Sequence, residues 1–111
     1  MIALAKAGYR CEIEGCQHEL FIRANDKHTY TEPHHLVPMS VQREFKYSLD
    51  IPENIVSLCS SCHNQIHYGK EADKLLEELY KKRKNLLIKC GILINFSQLK
   101  TIYKLHKDDD E

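Results

Sequence analysis

The clearest periodic stretch of the chain lies late in it. Leu75, Leu76, Leu79, Tyr80, Leu86, Leu87 and Cys90 recur at helical spacing, which predicts a helix from Glu71 to about Cys90. Glu77 and Glu78 stand four residues before Lys81 and Lys82, a pairing that supports a helix, and Gly91 comes after as a stop. Ser97 is the expected cap of a final helix carrying Leu99, Ile102, Tyr103 and Leu105. The first half is less regular. A short helix ends at Gly8, and residues 19–30 suggest a hairpin turning at Asn25-Asp26. His34-His35-Leu36-Val37 and Ile55-Val56-Ser57-Leu58 read as two short strands, the first ended by Pro38. The segment 39–53 between them is polar and without period. A helix from about Ser61 to Tyr68 comes after the second strand, with Gly69 as its stop.

Composition adds bounds. With 111 residues, 42% apolar and 29% charged, the chain is an ordinary globular sequence of single-domain length. No apolar run approaches the roughly 20 residues of a membrane span, and the first residues are too short for a signal peptide, so a cytoplasmic protein is expected. The net charge is zero, but it is segregated: Asp108, Asp109, Asp110 and Glu111 form an acidic tail, while Leu79 to Lys107 carries eight basic residues and no acidic one. That stretch is either a phosphate-facing surface or a solvated helix face, and charge does not choose between them.

Cysteine spacing changes the picture more. Cys11 and Cys16 form a C-x4-C pair, and Cys59 and Cys62 a C-x2-C pair. Four thiolates so spaced suit a closed, tetrahedral structural zinc site, which would staple a small core. The 42 residues between the pairs exceed the gap of a simple zinc ribbon, so an inserted element must fill it. Cys90 reads as a small buried hydrophobe. His18, beside Cys16, is a minor alternative ligand, and His28 and His106 have no context that marks them.

Histidines cluster in the inserted element and just after Cys62. His63 and His67 are four apart and share a helix face. His34 and His35, adjacent on a strand, point to opposite faces. If His34, His63 and His67 converge, three imidazoles can hold a divalent metal with positions open for water or a phosphate oxygen. His35 is left as a general base, its ordinary pKa near 6.5 suiting it to take a proton from water. Asn54 offers an amide oxygen to fix its tautomer. Glu32 shares the face of His34, as a partner for a ligand imidazole or as a plain solvent-facing residue.

Glu32-Pro33-His34-His35-Leu36-Val37-Pro38, Asn54 and Cys59-x2-Cys62-His63-x3-His67 together resemble the HNH family of nucleases, over residues 9–69. The resemblance implies an α+β fold, the ββα-metal (His-Me finger) core, here with a four-cysteine zinc knuckle and C-terminal helices. It implies one nuclease domain over 1–111, with knuckle and core in 1–69, a helical extension in 70–107 and the acidic tail in 108–111. It also implies that His35 activates water, that Asn54 orients it, and that a metal at the strand–helix junction contacts the scissile phosphate. The His-His pair with a His-x3-His helix is similar to the nuclease colicins, and the zinc knuckle and later helices look like HNH domains of restriction and DNA-defence proteins. His63 is the least secured of the three ligands.

The expected function is therefore metal-dependent hydrolysis of DNA, double-stranded in the first instance, in a restriction or defence setting. The cofactors expected are a structural Zn²⁺ and a catalytic Mg²⁺, Mn²⁺, Ni²⁺ or Zn²⁺. Target choice would fall to an attached or partner domain, the chain being a small stand-alone protein or the C-terminal piece of a longer one. The competing expectation is a non-catalytic zinc module that binds DNA or protein. A toxin-like effector held inactive by a partner would share the first chemistry.

Overall fold

A computed structural model describes residues 2–105; His106, Lys107 and the acidic tail lie outside the described residues. Two short strands, β1 (Glu32–His35) and β2 (Ile55–Leu58), pair antiparallel in the register Glu32↔Leu58, Pro33↔Ser57, His34↔Val56 and His35↔Ile55. A five-residue helix α1 (Ile2–Lys6) precedes them, and α2 (Ser60–Tyr68), α3 (Ala72–Lys89) and α4 (Phe96–Leu105) come after. This is an α+β fold in which the two strands and α2 form the centre. β1 starts two residues earlier than the apolar pattern suggests, because Pro33 sits on its exposed face and Leu36 and Val37 turn into the core instead.

All four residues of β2 are buried, and both of its edges are hydrogen-bonded. β1 covers one. On the other, Glu12 N–H donates to the Ser57 carbonyl at 2.8 Å, and Ser57 N–H donates to Glu12 Oε2 at 2.7 Å. The N-terminal knuckle is thus hydrogen-bonded to the strand that leads into Cys59. Arg83 of α3 completes the joint. Its guanidinium holds both oxygens of Glu12 at 2.7 and 3.0 Å and donates to the Pro52 and Glu53 carbonyls. Both side chains of the pair are only 14% exposed, so each needs the other to offset lost hydration. One member of the basic stretch is therefore an internal tether. Lys82 contributes likewise, reaching Glu14 and the Glu12 carbonyl.

The helices stand close to their expected bounds, with different terminators. Cys59 caps α2, its sulfur accepting from Cys62 N–H at 3.3 Å. Gly69 ends it by close approach and not by left-handed backbone: a Cβ there would lie 2.7 Å from the Gln65 carbonyl. α4 is capped by Asn95, not Ser97. Asn95 Oδ1 accepts from Gln98 N–H and Gln98 Oε1 accepts from Asn95 N–H, a reciprocal box two residues earlier than Ser97 would give. Leu76, Leu79 and Leu87 of α3 and Leu99 of α4 bury against Leu58 and Leu36. Cys90 is half-buried against the same core. The expected hairpin is reduced to one bridge, Ile22↔Thr29, with Phe21 stacked on Tyr30 and His28 stacked on Tyr9.

Candidate metal centres and a candidate catalytic histidine

The two cysteine pairs meet. Cys11, Cys16, Cys59 and Cys62 bring their sulfurs within 4.8 Å of one another, the first two from the knuckle and the last two from the start of α2. Cys16 Sγ lies 3.7 Å from Cys59 Sγ and 3.7 Å from Cys62 Sγ. Metal–sulfur bonds of about 2.3 Å at tetrahedral angles require edges of about 3.8 Å, so the spacing fits zinc. The electrostatics agree. Burial and the neighbouring Cys11 push the Cys62 thiol well up, and burial raises Cys11 too. Four thiolates coexist here only around a cation. Partial burial also pushes Cys16 up. His18, through its backbone and its ring, outweighs that together with Cys59 and Cys62, and brings the thiol down to about 7. His18 Nδ1 stands 3.2 to 3.6 Å from three of the sulfurs, closer than its minor standing in the sequence suggests.

The histidines form a second cluster one turn along α2. His34, His63 and His67 have ligand nitrogens within 4.8 Å of one another, and their ring centroids are 5.1, 5.1 and 5.3 Å apart. Near-equal spacing is what three imidazoles around one ion adopt. His34 is 6% exposed; burial, then the charges of His63 and His67, pulls its pKa down to about 3, which leaves the neutral ring a metal needs. His63 Nδ1 is held at 2.7 Å by Glu32 Oε1. Burial pushes the Glu32 carboxyl up, but hydrogen bonds from His63, Tyr30 and Ser60 overcome it and leave it below its usual value. Glu32 is thus the partner of an imidazole, though of His63 across the sheet edge and not of its strand-mate His34.

His35 faces away from His34, as alternation along a strand requires. Its Nε2 lies 2.9 Å from Asp50 Oδ1. The expected link to Asn54 is not the one formed. Asn54 is fully buried, with Oδ1 accepting from Val37 N–H at 2.8 Å and Nδ2 donating to the Val37 and Leu49 carbonyls. The amide grips backbone two residues beyond His35, and so fixes the end of β1. Asp50 and Tyr103 are the polar partners of the site that the sequence does not mark. Tyr103 lies 2.7 Å from His34 Nε2 and occupies an apolar position of α4.

Both clusters fall inside the region around the knuckle, strands and α2, and a model of the HNH endonuclease family matches residues 11–69, more than half of the chain. The chain belongs to the HNH endonuclease family. A curated relative is the type IV methyl-directed restriction enzyme EcoKMcrA of Escherichia coli (strain K12), 37% identical over 67 residues. That alignment covers 60% of this chain and 22% of the relative. No solved structure matches. This HNH protein is therefore similar to a restriction enzyme through a small part of that enzyme's length.

Proposed function

We propose that the chain is a metal-dependent endonuclease that hydrolyses phosphodiester bonds of double-stranded DNA, in restriction or a related defence. The observation that carries this reading is the convergence of His34, His63 and His67, with His35, the next residue of β1, separately held by Asp50. A divalent ion held by those three histidines, Mg²⁺, Mn²⁺, Ni²⁺ or Zn²⁺, would act as a Lewis acid on the phosphate and its leaving oxygen. Cys11, Cys16, Cys59 and Cys62 would hold the structural zinc.

The protein's own groups do the rest. Asp50 as a carboxylate only accepts, so the ring nitrogen facing it, Nε2, carries the hydrogen. His35 Nδ1 is then the lone pair that takes a proton from water. The water oxygen bonds to phosphorus as the bond to the 3′ oxygen breaks, leaving a 5′-phosphate and a 3′-hydroxyl, the latter protonated from solvent. Asn54 keeps the end of β1, and with it His35, in place.

We read the chain as one nuclease domain, with α3 and α4 as a helical extension of the core. We place its work on DNA in the cytoplasm, a compartment that keeps thiols such as its five free cysteines reduced. Among the described residues no helix is long and apolar enough to cross a membrane. Target choice is assigned to an attached or partner domain. A non-catalytic binding module would have no use for a carboxylate-held imidazole next to three clustered ones. Nicking of supercoiled plasmid with Mg²⁺ or Mn²⁺ tests the proposal. His35→Ala is expected to lose about 10²–10⁴-fold in rate. Undiminished nicking by that variant would overturn the mechanism.

A further inference from the structure

Helix α4 reaches the three-imidazole cluster through Tyr103. The hydroxyl of Tyr103 lies 2.7 Å from His34 Nε2 and 2.7 Å from the carbonyl oxygen of Leu36. A phenol has a single hydrogen and a carbonyl has none. The short oxygen–oxygen contact is attractive only if Tyr103 donates to Leu36. Its oxygen then faces His34 with a lone pair, and His34 Nε2 must bring the hydrogen.

Packing locks the arrangement: His34 is buried in β1, and Tyr103 packs against the same core. A neutral imidazole with hydrogen on Nε2 has its lone pair on Nδ1. On α2 the reverse holds: Glu32 accepts from His63 Nδ1, so that ring's lone pair is on Nε2.

We propose that Tyr103 is a positioning residue of the metal centre, fixing His34 in the Nε2–H tautomer and so committing Nδ1 as its metal-ligating nitrogen. The proposal rests on that part of the proposed function which reads His34, His63 and His67 as the ligands of a divalent metal. It makes α4, which lies beyond the family-matched residues, a working part of the site. The Asn95–Gln98 cap and the buried Leu99 set that helix, and Tyr103 comes one turn after Leu99.

The test uses the full ¹⁵N-labelled chain with its structural zinc retained and the histidine site stripped by mild chelator. Long-range ¹H–¹⁵N correlation, with His34 assigned by comparison with His34→Gln, reads which nitrogen is protonated. The expected result is a protonated Nε2 and a bare Nδ1 in the wild type. Tyr103→Phe should lose that preference and bind Mn²⁺ about 10–100-fold more weakly. A wild-type His34 protonated on Nδ1 would overturn the proposal, and so would unchanged Mn²⁺ affinity in a folded Tyr103→Phe. If that variant does not fold, the wild-type tautomer decides alone. An inactive protein that still shows the Nε2–H tautomer would sink the nuclease reading and leave this one standing; an active nuclease with the opposite tautomer would do the reverse.

Discussion

The four-thiol and three-imidazole clusters share one helix yet differ in almost every physical respect. α2 opens with Cys59 as its cap and Cys62 in its first turn, and carries His63 and His67 onward from there. The thiol set is complete with four ligands and joins segments distant in sequence, so its partners are all protein. The imidazole set brings together three candidate ligands, and its supports include a carboxylate, Glu32, and a phenol, Tyr103. Four thiolates repel one another and need a cation to stay together, whereas three neutral rings do not. That contrast separates the site that holds the fold from the site that is free to do chemistry. On the proposed reading a metal in the first site would be part of folding, and one in the second would leave without unfolding the chain.

The largest expected effect comes from breaking the thiol set. A structural zinc contributes about 10–16 kcal/mol in small zinc domains, comparable to a typical domain's whole stability of about 5–15 kcal/mol. Cys62→Ser should therefore lose its cooperative melt and its zinc together, as read by circular dichroism and metal analysis. A variant that melts within a few degrees of the wild type would erase the contrast between the sites.

Acid probes the contrast from the histidine side. The pKa of His34 is lowered to about 3, against about 6.5 for a histidine in the unfolded chain. The folded protein binds fewer protons in that window, so the neutral ring's contribution is fully present above about 6.5 and is lost as pH falls toward 3. The slope is up to about 1.4 kcal/mol per pH unit. The His34 ring signals in NMR should stay fixed from about pH 8 to about pH 5.5, well above the folded-state value. A midpoint near 6.5 would contradict its burial.

Asn54→Ala comes next. It strands the Val37 N–H and the Val37 and Leu49 carbonyls in a fully buried place, at roughly 1–3 kcal/mol each when unpaired. A loss of roughly 3 kcal/mol in urea unfolding is expected, with cleavage falling as well. Intact stability with lost cleavage would return Asn54 to a direct role at His35. Asp50→Asn is the mildest. Asp50 is 65% exposed, so water can take part of its place, and a fall of roughly tenfold in nicking, or about 1.4 kcal/mol, is expected with stability unchanged. An unchanged rate would mean that water alone orients His35.

What the sequence made legible was whatever rests on local spacing. C-x4-C, C-x2-C and His-x3-His fix which side chains leave one turn or one helix face together, and the two strands come from short apolar runs. Partners assembled by tertiary packing were not legible. Asp50 stands in the segment without period and reaches His35 only because β1 and β2 pair around it. Tyr103 looks like one more core position between Ile102 and Leu105, and its phenol is the single hint that something polar lies opposite. Arg83 hides among lysines, and its buried pair with the Glu12 carboxylate shows only in the packed structure. The Asn95 cap, by contrast, was present in the pattern as Asn-x-x-Gln, and Ser97 masked it.

The central claim is that two metals serve two separate purposes, and one measurement addresses it directly. Protein dialysed against mild chelator is assayed for zinc content, melting and plasmid nicking, before and after Mn²⁺ is returned. The expected result is one retained zinc per chain, a preserved melt, no nicking, and nicking restored by Mn²⁺. Loss of all metal with the fold intact, or full nicking with only the retained zinc, would contradict it.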